Sequence, residues 1–166
     1  MPTARSRSGS TWRPVTAEVA ETVSTSATTD LPVDRVWAVL SDYFALADWA
    51  SAIDHSSALT ATPAGMGASR RVAMGSTVIV ENVVDWKPTS AMAYEIVGLP
   101  PVVSRVENRW ELRGDGAGAA VTLTCSIEPG PKPPMKVAAK AVARRIGKVN
   151  ESLVADLVRA AVEESP

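Results

Sequence analysis

The chain has 166 residues, 46% of them hydrophobic, and 17 Lys and Arg against 18 Asp and Glu give a formal net charge of −1. That length fits one domain with its own core, and near-neutrality excludes the global positive field that nucleic-acid binding uses. The lone cysteine, Cys125, excludes an internal disulfide and gives no metal signature, and no apolar run is long enough to span a bilayer.

Residues 1–17, MPTARSRSGSTWRPVTA, carry Arg5, Arg7 and Arg13, with no acid and no apolar stretch of the secretory type. They read as a disordered basic tail, or else as an electrostatic anchor to anionic lipid or a partner. The domain is expected over residues 18–163, and the lone thiol fits the reducing cytoplasm. Residues 18–28 read as a weakly apolar strand, with Val19 and Val23 on one face and Thr22 and Ser24 on the other, as at a sheet edge.

Residues 30–49, DLPVDRVWAVLSDYFALADW, read as a helix, a break and a second short helix. Val33, Val36, Trp37 and Leu40 fall at i, i+3, i+4 and i+7. Pro32 suits the first turn, and Asp34 complements the positive end of the helix dipole. Ser41-Asp42 interrupts the pattern, and Phe44, Leu46 and Trp49 resume it.

Strands are predicted at 56–62, 69–74, 76–86 and 91–97, with Gly75 as a hairpin turn and Lys87-Pro88-Thr89-Ser90 as a second turn. From 103 to 113, Val106, Asn108, Trp110 and Leu112 alternate with Arg105, Glu107, Arg109, Glu111 and Arg113. This is period two, with one apolar and one charged face. After the loop Gly114-Asp-Gly-Ala-Gly118, Ala119, Val121, Leu123, Cys125 and Ile127 alternate with polar neighbours. Successive hairpin-linked strands imply an antiparallel meander with one wet and one covered face.

Beyond the stiff PGPKPP connection, residues 135–162 contain no proline and read as one long helix. Ala139, Val142, Ile146, Val149, Leu153 and Leu157 form its apolar stripe. At ~1.5 Å per residue it is about 43 Å long. A compact domain of this size is about 40 Å across, so the helix must cross the covered face of the sheet. The fold class is therefore α+β.

Several of these residues carry a family resemblance. Pro32, Asp34, Val36-Trp37-x-Val39-Leu40-Ser41-Asp42, the aromatic Tyr43 and Leu46-x-x-Trp49 resemble the opening of the START-like, Bet v 1-like superfamily. Gly65 and Gly67 ahead of Arg70-Arg71-Val72 extend the match, as do Val83-Val84-Asp85-Trp86-Lys87-Pro88 and Met92-Ala93-Tyr94-Glu95-Ile96. The similar branch is that of the polyketide cyclase/dehydrase, or SRPBCC, proteins. The resemblance implies a helix-grip fold: a curved antiparallel sheet of about seven strands around the long C-terminal helix, with two short helices after the first strand and a cavity between sheet and helix. Such a scaffold hosts many functions.

The inward faces supply candidate ligand contacts. Asn108 lies between Val106 and Trp110, and a buried amide without partners costs about 1–3 kcal/mol. It meets a ligand, or it satisfies neighbouring backbone. Asn150 raises the same alternatives between Val149 and Leu153 on the helix, near Ile146. Tyr94 shares a face with Met92 and Ile96, and Trp86 is read on the face of Val78, Val80, Asn82 and Val84. Polar groups among aromatics suit an apolar pocket with a few orienting contacts.

Catalytic candidates are sparse. His55, beside Asp54, is the only histidine and a conceivable general base, or a solvated loop residue. Tyr94 is the other candidate. Cys125 sits in an apolar row as a small core residue. Arg70 and Arg71 could present a charge at a pocket mouth, but in an alternating strand one of them simply faces water. Gly65-x-Gly67 lacks the third glycine and the strand–helix context of a dinucleotide loop, so no cofactor and no metal is expected. Lys136, Lys140, Arg144 and Lys148 repeat every four residues, with Lys132 and Arg145 nearby. The stripe opposes the helix dipole. It is a solvated face, or a contact for anionic headgroups, an acidic partner or a ligand carboxylate.

The function expected is binding of a small hydrophobic molecule, a lipid or polyketide-like compound. The alternatives are a polyketide aromatase/cyclase or dehydratase, as the resemblance implies, and a regulatory module that binds a partner through the basic helix face. No nucleic acid is expected as a partner.

Overall fold

The structure is a computed structural model that describes residues 21–114, 116–131 and 135–163, with side chains from residue 137 onwards in the last span. The basic tail, Lys132 and the side chain of Lys136 lie outside the described residues. The strands are β1 (Glu21–Thr29), β2 (His55–Ala58), β3 (Ser69–Met74), β4 (Thr77–Lys87), β5 (Ala91–Val97), β6 (Val103–Gly114) and β7 (Ala119–Pro129). The helices are α1 (Val33–Ser41), α2 (Leu46–Trp49) and α3 (Met135–Glu163), with a 3-10 turn at Tyr43–Ala45 between α1 and α2.

The seven strands form one antiparallel sheet in the order β1-β7-β6-β5-β4-β3-β2. The meander from β2 to β7 is local, and β1 closes it by pairing Val23 with Cys125 and Ala27 with Val121. The expected α+β helix-grip architecture is the one observed. The first helix starts one residue later than its pattern suggested, with Pro32 extended at the N-cap. β2 ends at Ala58, short of the expected 62, because the chain leaves the sheet through Pro63 and the positive-φ glycines Gly65 and Gly67.

α3 packs on β1, β7 and α1. Ala139, Ala143, Leu153, Val154, Leu157, Ala160 and Ala161 are its buried apolar residues. At Gly147 the approach is close: a Cβ there would lie 3.1 Å from Val23 Cγ1. The small side chains let helix and sheet close on that side, where Val121, Leu123, Cys125 and Ile127 are all fully buried.

One strand reads differently from its sequence. In β4, Ile79, Glu81 and Val83 face inward, while Val78 and Val84 are exposed. A bulge between Val83 and Asp85 then returns Trp86 to the inner side, where its ring meets Trp37 edge-on at 5.2 Å. Unbroken alternation had grouped Trp86 with Val78, Val80, Asn82 and Val84. The extra residue of the bulge reverses the facing of everything after it.

Candidate functional site

Away from β1 and β7, the helix and the sheet do not close. A cavity of about 620 Å³ lies between α3, the inner ends of β3 to β6, and the loops that join β3 to β4 and β5 to β6. Val142, Ile146, Val149 and Leu153 form its helical wall; Val72, Ile79 and Ile96 its sheet floor; Leu46 and Ile53 one end. Gly98, Leu99 and Pro100 form a lip. Gly98 has φ +91, and a Cβ would meet the Val78 carbonyl oxygen at 3.3 Å, so this turn requires glycine. Val142, Ile146 and Val149 are only half-buried because they face the hollow and not the sheet. A smaller hollow of about 210 Å³ beside α1 and the end of α3 is lined by Asp42, Asp48, Arg159 and Glu163 together with Ala38, Val39, Ala45, Trp49 and Ala160.

Among the polar residues of the lining, Ser76, Thr77 and Arg145 reach solvent, and three are buried: Glu81, Asn108 and Asn150. These three are at least nine-tenths buried. Register explains Asn108 and Glu81. Asn108 on β6 stands between Cys125 of β7 and Tyr94 of β5, and Glu81 on β4 stands opposite Arg70 of β3. Asn150 Nδ2 donates to Asn108 Oδ1 at 3.4 Å, Asn108 Nδ2 to the Tyr94 hydroxyl at 3.4 Å, and Trp110 Nε1 to the same hydroxyl at 3.5 Å. These bonds are long, so the relay is loosely tied.

Beneath the floor lies an ion pair. Arg70 Nε donates to Glu81 Oε2 at 2.7 Å and Nη2 lies 2.6 Å from the same oxygen, while Nη1 donates to the Tyr43 carbonyl. The guanidinium carbon sits 3.9 Å over the Tyr43 ring and 5.4 Å from that of Tyr94. The Tyr43 hydroxyl donates to the Glu81 carbonyl oxygen at 3.1 Å. Burial by itself would lower the Arg70 pKa, but the adjacent Glu81 carboxylate outweighs it and holds the guanidinium charged. Burial raises the pKa values of Tyr94 and Tyr43 well above the usual phenol range, so both phenols stay protonated.

Of the ligand-contact residues expected from sequence, Asn108, Asn150, Ile146 and Leu153 line the cavity. Tyr94, Trp110 and Val106 are each 1% exposed and stand outside its lining, and Trp86 packs on Trp37. His55 is exposed at the start of β2 and does not reach the cavity, so it and buried Tyr94 do not share a site. Cys125 is fully buried, and burial pushes its thiol up to about 12. Among the described residues no cluster of His, Cys, Asp or Glu could hold a metal ion, and no helix is long and apolar enough to cross a membrane.

Sequence reasoning missed Tyr43 and the Arg70–Glu81 pair. A signal for the pair was present: the turn at Gly75-Ser76 pairs Met74 with Thr77, and the same register places Arg70 opposite Glu81.

A sheet wrapped on one long helix, with a ligand-sized hollow between them, defines the helix-grip class of cavity proteins. Within it the chain belongs to the polyketide cyclase/dehydrase and lipid transport family, whose pattern matches residues 20–158. None of the curated proteins matches the chain. Among solved structures it is similar to the Zhui aromatase/cyclase from Streptomyces sp. R1128, at 17% identity and a TM-score of 0.73 over 89% of this chain and 96% of that one. It is also similar to the di-domain aromatase/cyclase StfQ of the steffimycin biosynthetic pathway, at 12% identity and TM-score 0.71 over 88% of this chain and 51% of that one. Ara h 8.0201 follows at 12% identity and TM-score 0.62, over 84% and 99%. At these identities the likeness is one of fold.

Proposed function

We propose that the protein binds a small hydrophobic molecule, of lipid or polyketide-like character, in the cavity between sheet and α3. One observation carries the reading: a hollow of about 620 Å³ with a largely apolar lining, in which Glu81, Asn108 and Asn150 are the buried polar side chains. Its size falls within the roughly 300–1,000 Å³ of small-molecule pockets. Burial of apolar surface supplies the binding free energy, at roughly 25 cal/mol per Å² before ordering costs. Asn108 and Asn150 orient the ligand, and Ile146 and Leu153 pack its body. Tyr94 and Trp110 act from behind by positioning Asn108. Trp86 and Val106 support the wall from outside the contact set.

A second reading, an aromatase/cyclase or dehydratase, is favoured by the Arg70–Glu81 pair, which places a charged group at the cavity wall. Cyclisation needs a folded substrate with a proton donor and an acceptor. Glu81 is the accessible polar group best suited to that work; Tyr94 and His55 are not.

Native mass spectrometry of the freshly purified protein, followed by organic extraction, tests the binding reading. A discrete apolar adduct, or uptake from a lipid and polyketide panel, is expected, and Ile146→Trp should weaken it by projecting a larger side chain into the hollow. A clean apo mass and no uptake would overturn it. Turnover of the extracted compound separates the second reading from the first.

A further inference from the structure

The first half of α3 carries a charge pattern that the cavity does not use. Lys136, Lys140, Arg144, Arg145 and Lys148 occur with no acidic residue anywhere between 135 and 150. Lys140, Arg144, Arg145 and Lys148 are all exposed. None of the four has an ion pair among the described residues. By contrast Arg105, Arg109 and Arg159 each hold a carboxylate within 3.0 Å.

Helix stability does not explain the pattern. The first turn of α3 has no acid to complement the dipole, and like charges at i and i+4 repel. Location gives a better account. Arg145 lines the cavity, between the inward residues Val142, Ile146 and Val149 and the outward row of Lys140, Arg144 and Lys148. Apolar residues flank the cations: Val137 is 78% exposed one turn before them, and Val78, 44% exposed, lines the cavity on its sheet side. Cations interleaved with exposed apolar side chains are the pattern of a surface that lies on lipid headgroups.

We propose that this half of α3 docks on an anionic lipid bilayer, with the cavity mouth turned toward the membrane. Charge complementarity selects the occupant, since the patch has four cations without an ion pair among the described residues, on a chain of net charge −1. The exposed apolar flank favours a bilayer over an acidic soluble protein. Exchange of cargo through the mouth rests on the ligand-binding reading above; docking itself does not.

Vesicle co-sedimentation of the full chain tests it, with phosphatidylserine-containing and pure phosphatidylcholine vesicles as probes. Binding is expected only to the anionic vesicles and is expected to fall at high ionic strength. The triple variant Lys140→Glu, Arg144→Glu, Lys148→Glu avoids every cavity-lining residue. At about fivefold per neutralised cation its partitioning should drop by about 100-fold or more, with uptake of a fluorescent apolar probe in solution unchanged. No wild-type binding to anionic vesicles would overturn the proposal, as would binding indifferent to lipid charge and salt, or full binding by the variant. Salt-sensitive capture of an acidic protein without vesicle binding would overturn it in favour of a protein partner. Vesicle binding without probe uptake would uphold docking and overturn the cavity reading. Should the triple variant fail to fold, the milder Lys140→Gln, Arg144→Gln, Lys148→Gln variant decides: it should also lose most vesicle binding, and binding at the wild-type level would overturn docking through α3 in favour of the basic tail.

Discussion

The two halves of the sheet beneath α3 share a period and differ in what they bury. Under β1 and β7 the helix closes down, with Gly147 against Val23 and with Val121, Leu123, Cys125 and Ile127 fully buried. Under β3 to β6 the inward positions include Arg70, Glu81 and Asn108, and the helix stands off to leave a cavity. One half is packed for stability. The other keeps polar groups inside and gives up packing, an arrangement expected where a ligand completes the core.

The comparison breaks most visibly at the ion pair. Arg70→Met leaves the Glu81 carboxylate buried and unpaired, so about 3–5 kcal/mol of stability should be lost in denaturant titrations. A much smaller loss would mean that water reaches Glu81 freely from the cavity. In the closed half, Leu123→Ala should cost about 2–5 kcal/mol by the same measurement, because its packed neighbours cannot fill the void.

At the end of α3, Asp156 accepts from the Ser51 hydroxyl at 2.6 Å and the Ser51 amide at 2.8 Å, and from Arg159 at 3.0 Å. Burial on its own would raise its pKa, but these donors outweigh it and hold the carboxyl below its usual value. A depressed folded pKa makes the contribution fully present above the unfolded value of about 3.9 and lost as pH falls through the folded one. Asp156→Ala should therefore cost about 1.5–3 kcal/mol near neutrality, and the gap from wild type should narrow below about pH 4.

Ile146→Ala sharpens the contrast from the other side. It enlarges a hollow that already exists, so less than about 1 kcal/mol should be lost, well below the cost at Leu123. A cost as large as that at Leu123 would show that the cavity collapses around Ile146 in solution. The smallest effect is expected at Cys125. Its thiol, pushed up to about 12 and fully buried, should resist alkylation in the native protein and react only on unfolding.

The periodicity of the chain was enough to reveal every element and its approximate order. Alternation over 103–113 and 119–128, the i, i+3, i+4 spacing around Trp37, and the proline-free run from 135 are local patterns, and local patterns survive without knowledge of the neighbours. They also placed Asn108 on the covered face, since period two allows only two faces. Tertiary structure alone decided where the cover is incomplete. A hollow is defined by what fails to meet across it, and that depends on how close Gly147 lets α3 approach β1 at one side and how far Ile146 stands from Ile79 at the other. The bulge after Val83 turned Trp86 inward against the pattern of its own strand, and cross-strand register joined Arg70 to Glu81 eleven residues away. Both are properties of strand pairing, in which a single extra residue or one two-residue turn resets every contact that follows.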